Sequence, residues 1–190
     1  GQFCICYTAG MESGERVSIY IDGGNFYQRL KESGVGRGTR FDYSALIEFL
    51  LRQRQLRSKR YYVGIVRNHD QSEQSQQRVE SQQKFLSGLE KEGFEIKRGR
   101  IVYDHKIREK GIDVKIAVDI VTDAVDNHYD TAVIVSSDTD LIPAIEYVRG
   151  RGKKVEYVGF ATKPSLGMAH ESTLSVLLLP DDIKKLTGNA

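Results

Sequence analysis

The chain has 190 residues, 39% of them hydrophobic and 28% charged, with a formal net charge of +2. This suffices for one soluble globular domain with a sizeable core. It excludes a membrane span, because no apolar run approaches roughly 18 residues, and it leaves any argument for nucleic-acid binding to local patches rather than global charge.

The only cysteines, Cys4 and Cys6, lie in the segment Gly1 to Gly10. That segment lacks a basic region followed by an apolar core and makes a poor signal peptide. Met11 fits a natural start, so residues 1–11 read as a fusion scar or disordered leader, and residues 12–190 as a single domain. Without the leader there is no cysteine for a disulfide framework or a thiolate zinc site. A cytoplasmic setting is the default expectation.

Strand and helix patterns then alternate. Val17 to Ile21 reads as the first strand, followed by a short helix over Asn25 to Glu32 and a glycine-rich loop over Gly34 to Gly38. Asp42 can cap a helix over Tyr43 to Arg54, with Leu46, Ile47, Leu50 and Leu51 on one face. A strand over Tyr61 to Val66, a long polar helix over Gln71 to Glu92 and a strand over Phe94 to Tyr103 follow. Asp104 to Gly111 reads as a charged loop, Asp113 to Asn127 as a helix and Thr131 to Val135 as a strand. A helix over Leu141 to Arg149, strands over Lys154 to Gly159 and Leu174 to Leu179, and a helical turn after Pro180 complete the chain. This order predicts an α/β fold with a mostly parallel central sheet and helices on both faces.

Two runs stand out as carriers of chemistry, Ile21-Asp22-Gly23-Gly24-Asn25 and Ser136-Ser137-Asp138-Thr139-Asp140. Each follows an apolar strand and precedes a helical pattern, so a parallel sheet places both at carboxyl ends of strands, where open α/β folds build their sites. The two glycines allow a tight turn. Simple capping is the competing explanation for each run, since Asp is a favoured N-cap. Capping explains one carboxylate of the second run easily, but two, with Asp22 nearby, less well.

Asp113 adds a third element. Projected at about 100° per residue, Lys115, Asp119, Thr122, Asp123 and Asp126 share a polar arc. The valines 114, 118, 121 and 125 join Ile116, Ala117, Ile120 and Ala124 on the apolar remainder. Asp113 falls within that apolar arc, in the first turn, and so is expected at the sheet edge facing the crevice. The same projection makes Asp119, Asp123 and Asp126 ordinary solvated acids. Converging carboxylates repel by roughly 1 kcal/mol at 4 Å in water and by several times more at a protein surface. Mg²⁺ or Mn²⁺ relieves that repulsion, takes oxygen ligands, and can generate hydroxide or stabilise a phosphoryl transition state.

Basic residues crowd Arg52 to Arg60 and Lys97 to Arg100, where a solvated surface is the better explanation. Lys106, Arg108 and Lys110 adjoin Asp113 and are the stronger candidates for phosphate contact. His69, His105, His128 and His170 are scattered and assigned no role.

Taken together, the runs at Tyr20 to Asn25, Lys110 to Val114, Tyr129 to Thr131, Ser136 to Pro143 and Lys153 to Phe160 resemble the NYN family, the LabA-like branch of the PIN-like nuclease superfamily. The resemblance implies a PIN-like three-layer α/β/α sandwich and metal-dependent cleavage of RNA, single-stranded or structured. It implies an acidic site of Asp22, Asp113, Asp138 and Asp140, with Asn25 as polar companion and Mg²⁺ or Mn²⁺ as cofactor. Asp119 is a second-tier position, since family members often carry an acid there, and Ser136 and Ser137 are second-tier neighbours. Ser137 stands where a Gly is common. A catalytically silent RNA- or protein-binding regulatory module of the same fold is the alternative, with a homo-oligomer or a regulatory protein as a further partner. A Toprim-like phosphotransferase lacks its strand-end Glu here, and a haloacid-dehalogenase reading lacks an Asp at Gly24.

Overall fold

The computed structural model describes residues 14–36, 39–65, 72–104 and 106–188, without the side chains of residues 100–110. The proposed leader, Val66, His69, Gln71 and His105 lie outside the described residues, as do Arg37 and Gly38 of the expected loop.

Strand β1 (Arg16–Asp22) is followed by helix α1 (Gly23–Glu32) and helix α2 (Tyr43–Leu51). Asp42 caps α2 as expected, accepting from the Ala45 N–H at 2.9 Å. Strand β2 (Gln55–Val63), helix α3 (Glu73–Lys91) and strand β3 (Glu95–Arg98) come next. A hairpin of β4 (Arg100–Asp104) and β5 (Lys106–Lys110) leads into helix α4 (Ile112–Val125). The chain ends with β6 (Thr131–Val135), a 3₁₀ turn (Thr139–Leu141), α5 (Ile142–Gly150), β7 (Lys154–Phe160), α6 (Leu166–Glu171), β8 (Leu174–Leu178) and α7 (Pro180–Leu186).

Six strands form one sheet in the order β3-β2-β1-β6-β7-β8, all parallel. Four helices, α1, α2, α3 and α7, cover one face through Phe26, Leu46, Leu50, Leu86 and Ile183. Helices α4, α5 and α6 cover the other through Ile116, Ile120, Ile145 and Met168. The expected α/β/α sandwich is therefore present. The sequence order reverses between β1 and β6, and such a switch point opens a crevice at the carboxyl ends of the strands.

The strand expected over Tyr61 to Val66 starts earlier, at Gln55, and two further expectations need correction. The strand over Phe94 to Tyr103 breaks at Gly99: β3 joins the sheet, while β4 pairs antiparallel with β5 in a separate hairpin. The charged loop over Asp104 to Gly111 is thus largely strand, because cross-strand pairing with β4 overrides its weak apolar pattern.

The second correction concerns α4. Its buried side includes Asp123, 6% exposed, whereas Val114, Val118 and Val125 are 67%, 51% and 52% exposed. Ile116, Ile120 and Ala124 are buried and Asp126 is exposed as expected, but Asp123 turns inward and these valines outward. Asp123 is buried because it accepts from Tyr20 Oη at 2.6 Å and pairs with Arg60 of β2. A paired, hydrogen-bonded carboxylate can be accommodated where a lone one cannot. Asp119 likewise accepts from Tyr62 Oη at 2.8 Å. Arg54 is also internal, bound to Glu156 through two nitrogens at 2.7 and 3.0 Å. The cluster over Arg52 to Arg60 is therefore in part structural.

A candidate acidic cleft at the β1–β6 junction

The first carboxylate is placed by the end of β1. Asp22 is the last residue of the strand and the N-cap of α1, and its Oδ1 accepts from the Asn25 N–H at 3.1 Å. The glycines after it act differently from expectation. Neither has a positive φ. Gly23 is required because a Cβ there would overlap the Tyr61 ring, so the helix starts flush against β2.

The second carboxylate follows β6. Ser136 Oγ donates to Asp22 Oδ2 at 3.1 Å and accepts from the Asp138 N–H at 3.2 Å. One buried hydroxyl thus links both acidic runs. Asn25 adds a second tie, its Oδ1 accepting from the Ser137 N–H at 3.0 Å. Ser137 Oγ lies 3.4 Å from Tyr157 Oη. Asp138 caps the 3₁₀ turn, its Oδ1 accepting from the Asp140 N–H at 2.9 Å.

The third comes from α4. Gly111 takes a left-handed φ of 87° at its N-cap, a conformation glycine adopts without steric cost. This turn swings the chain from the hairpin into the helix and presents Asp113 in the first turn.

Asp22, Asn25, Asp113 and Asp138 line one cleft of about 510 Å³. Burial pushes the Asp22 carboxyl up, the Asn25 N–H and Ser136 oppose that shift, and the Asp138 charge reinforces it. Burial also raises Asp113, with further contributions from Asp138, Asp22 and Asp140. The acids therefore act on one another, as expected for a site whose charge calls for a cation. Their donors are hard oxygens, suited to Mg²⁺ or Mn²⁺. Among the described residues, however, no group of three or more His, Cys, Asp or Glu side chains is already arranged to hold a metal ion.

Other candidates are placed apart. Asp140 is exposed in the 3₁₀ turn and is not among the cleft-lining residues. Asp119 is not among the cleft-lining residues but is hydrogen-bonded to one of them, Tyr62. Lys106, Arg108 and Lys110 lie on β5, and their side chains are outside the described residues.

Sequence reasoning missed part of the wall. Gln28, Arg29 and Glu32 of α1, and Lys163 after β7, also line the cleft. The signal was available: with Asn25 they follow i, i+3, i+4, i+7 spacing, one face of a helix. Gly64 lines the rim, held by Gln82 Nε2 of α3, which donates to its carbonyl at 2.8 Å.

A model of the NYN domain family matches residues 16–176. No curated protein matches the chain. Among solved structures, the chain is similar to a protein of unknown function from Vibrio parahaemolyticus. The TM-score is 0.68 at 22% identity, covering 89% of this chain and 96% of that one. At that identity the likeness shows the fold alone.

Proposed function

Because this chain belongs to the NYN domain family, whose members are generally nucleases of the PIN-like superfamily, we propose that it is a metal-dependent ribonuclease. One observation carries the reading: three carboxylates from three separate elements face one cleft at the switch point of the sheet. A Mg²⁺ or Mn²⁺ ion held by Asp22, Asp113 and Asp138 would supply Lewis-acid stabilisation for attack of water on a phosphodiester.

The chain's own residues orient that site. Ser136 holds Asp22 Oδ2, and the Asn25 N–H holds Oδ1. Asn25 keeps the loop after β6 in register with α1 through the Ser137 N–H. Asp140, outside the wall, adds negative potential at Asp113. Lys106, Arg108 and Lys110 remain the proposed phosphate contacts on the hairpin side.

The second reading is a module that binds RNA or protein without turnover. Purified protein incubated with mixed RNAs and Mn²⁺, beside Asp22→Asn, separates the two. Cleavage by the parent protein alone supports the nuclease. Binding without cleavage across metals supports the silent module.

A further inference from the structure

The cleft has two chemically different ends. The inner end carries Asp22, Asp113 and Asp138, while the wall along α1 carries Gln28, Arg29 and Glu32, joined by Lys163. Glu32 is the hub of that wall. Its carboxylate accepts from Gln28 Nε2 at 3.2 Å and Arg29 Nη1 at 2.9 Å, and Lys163 Nζ lies 3.8 Å away. Lys163 comes from a loop 131 positions later (163 − 32), so the wall is assembled across elements rather than by helical neighbours alone.

A merely solvated helix face would account for an i,i+3 pair, but not for the imported lysine or for the side on which all four residues stand. The outer face of α1 offers the contrast: Lys31 sits over the exposed Tyr27 ring at 5.2 Å and is not among the cleft-lining residues. On the cleft side, two cations and one carboxylate leave a net charge of +1. Arg29 has five N–H donors, and one of its nitrogens, Nη1, is bonded to Glu32. A planar guanidinium with donors in reserve suits phosphate recognition.

A polynucleotide in this cleft meets a charge problem that a single phosphate does not. A divalent cation held by the acids would offset two of their three formal charges where one phosphate sits, but the next phosphate along the chain would still face negative potential. Arg29 lies four residues beyond Asn25, about 6 Å further along the helix axis.

We propose that Arg29 and Lys163 form a second subsite, for the backbone phosphate adjacent to the one at the acids, with Glu32 holding both cations in place until that phosphate competes for them. This rests on the nuclease reading and sharpens it: the substrate is an oligonucleotide with successive phosphodiesters, not a mononucleotide. Hydrogen bonds from Gln28 and Arg29 lower the Glu32 carboxyl, as expected for a carboxylate that holds these donors.

The test measures binding of a fluorescent oligouridylate by anisotropy, in Mn²⁺ and across salt concentrations, for the parent protein and single variants. Arg29→Gln and Lys163→Gln should each weaken binding several-fold and reduce the salt slope by roughly 0.7, the value for one single-strand phosphate contact. Glu32→Gln should tighten binding, because it releases both cations. Lys31→Gln removes the same charge from the outer face of the same helix and should change neither quantity. Unchanged affinity and slope in Arg29→Gln and Lys163→Gln, with the parent binding well, would overturn the subsite and leave the nuclease reading standing. Weakening by Lys31→Gln equal to that by Arg29→Gln also overturns it, since the effect is then general charge. A parent protein that binds no oligouridylate and cleaves no RNA removes the nuclease reading itself, and the subsite with it.

Discussion

The Asp22 carboxylate and the Ser136 hydroxyl meet at 3.1 Å across the junction of β1 and β6. Ser136 is 2% exposed and Asp22 5%, so water cannot readily replace either partner. Ser136→Ala leaves Asp22 Oδ2 and the Asp138 N–H without this bond. A buried polar group stripped of its partner costs about 1–3 kcal/mol, and urea unfolding should show a loss in that range. Cleavage of RNA should fall as well, because Asp22 and Asp138 lose their common anchor. A Ser136→Ala protein with parent stability and parent turnover would show that the link organises nothing.

Metal binding should appear as stability. If Asp22, Asp113 and Asp138 hold a divalent ion, the folded state gains RT ln(1 + [L]/Kd), about 2.7 kcal/mol at a hundredfold excess over Kd. The melting temperature should therefore rise with Mn²⁺ or Mg²⁺ and keep rising logarithmically once Kd is passed. Asp22→Asn should flatten that response. Calorimetry of parent and variant across metal concentrations reads it, and parallel responses would place the metal elsewhere.

The raised carboxyl of Asp113 fixes a pH dependence. Burial, then the Asp138, Asp22 and Asp140 charges, lift it above its ordinary 3.8. Between 3.8 and the raised value the folded protein binds more protons than the unfolded chain, so stability falls as pH rises through that window. Without metal, Asp113→Asn should be more stable than the parent at pH 7, and the difference should vanish below the ordinary carboxylate range. Asp130 supplies the opposite sign. Its hydrogen bond to Arg16 holds it down to about 2, so it contributes stability above 3.8 that disappears as pH falls through about 2. With its side chain 41% exposed, screening reduces that contribution to roughly 1 kcal/mol or less. Melting curves of Asp113→Asn and Asp130→Asn against pH should thus diverge from the parent in opposite directions.

The layers and the inner end of the cleft were legible because strand hydrophobicity and capping chemistry are local. β1 and β6 announce themselves as apolar runs ended by acids, and the parallel order follows from alternation with helices. The orientation of α4 was not legible, because burial of Asp123 depends on Arg60 and Tyr20, partners from other strands. An arc of acids looks solvated until its counter-ions are known. The hairpin was hidden for a related reason: β4 and β5 support each other by pairing rather than by an apolar face. Asp140 reads as equivalent to Asp138 in sequence, yet Asp138 caps the 3₁₀ turn and lines the cleft, while Asp140 lies within the turn and is exposed.

The opposite end of the sheet offers a variant that tests stability without touching the cleft. Arg54, just before β2, and Glu156, near the start of β7, form a buried pair with side chains 2% and 7% exposed. Arg54 also donates to the Leu50 and Leu51 carbonyls at 2.9 and 3.1 Å, so it closes the end of α2. Glu156→Ala leaves that guanidinium buried with Glu15 as its nearest remaining carboxylate, 3.6 Å away. Breaking such a pair typically costs 3–5 kcal/mol, and the Glu15 contact argues for about 3. Because the pair sits at the amino ends of the strands, the metal-induced rise in melting temperature should keep its parent size even as the baseline drops. Urea unfolding measures the first quantity and calorimetry with Mn²⁺ the second. A variant that loses the metal response while still folded would mean that the two ends of the sheet are coupled, and that the cleft is not positioned by its local contacts alone.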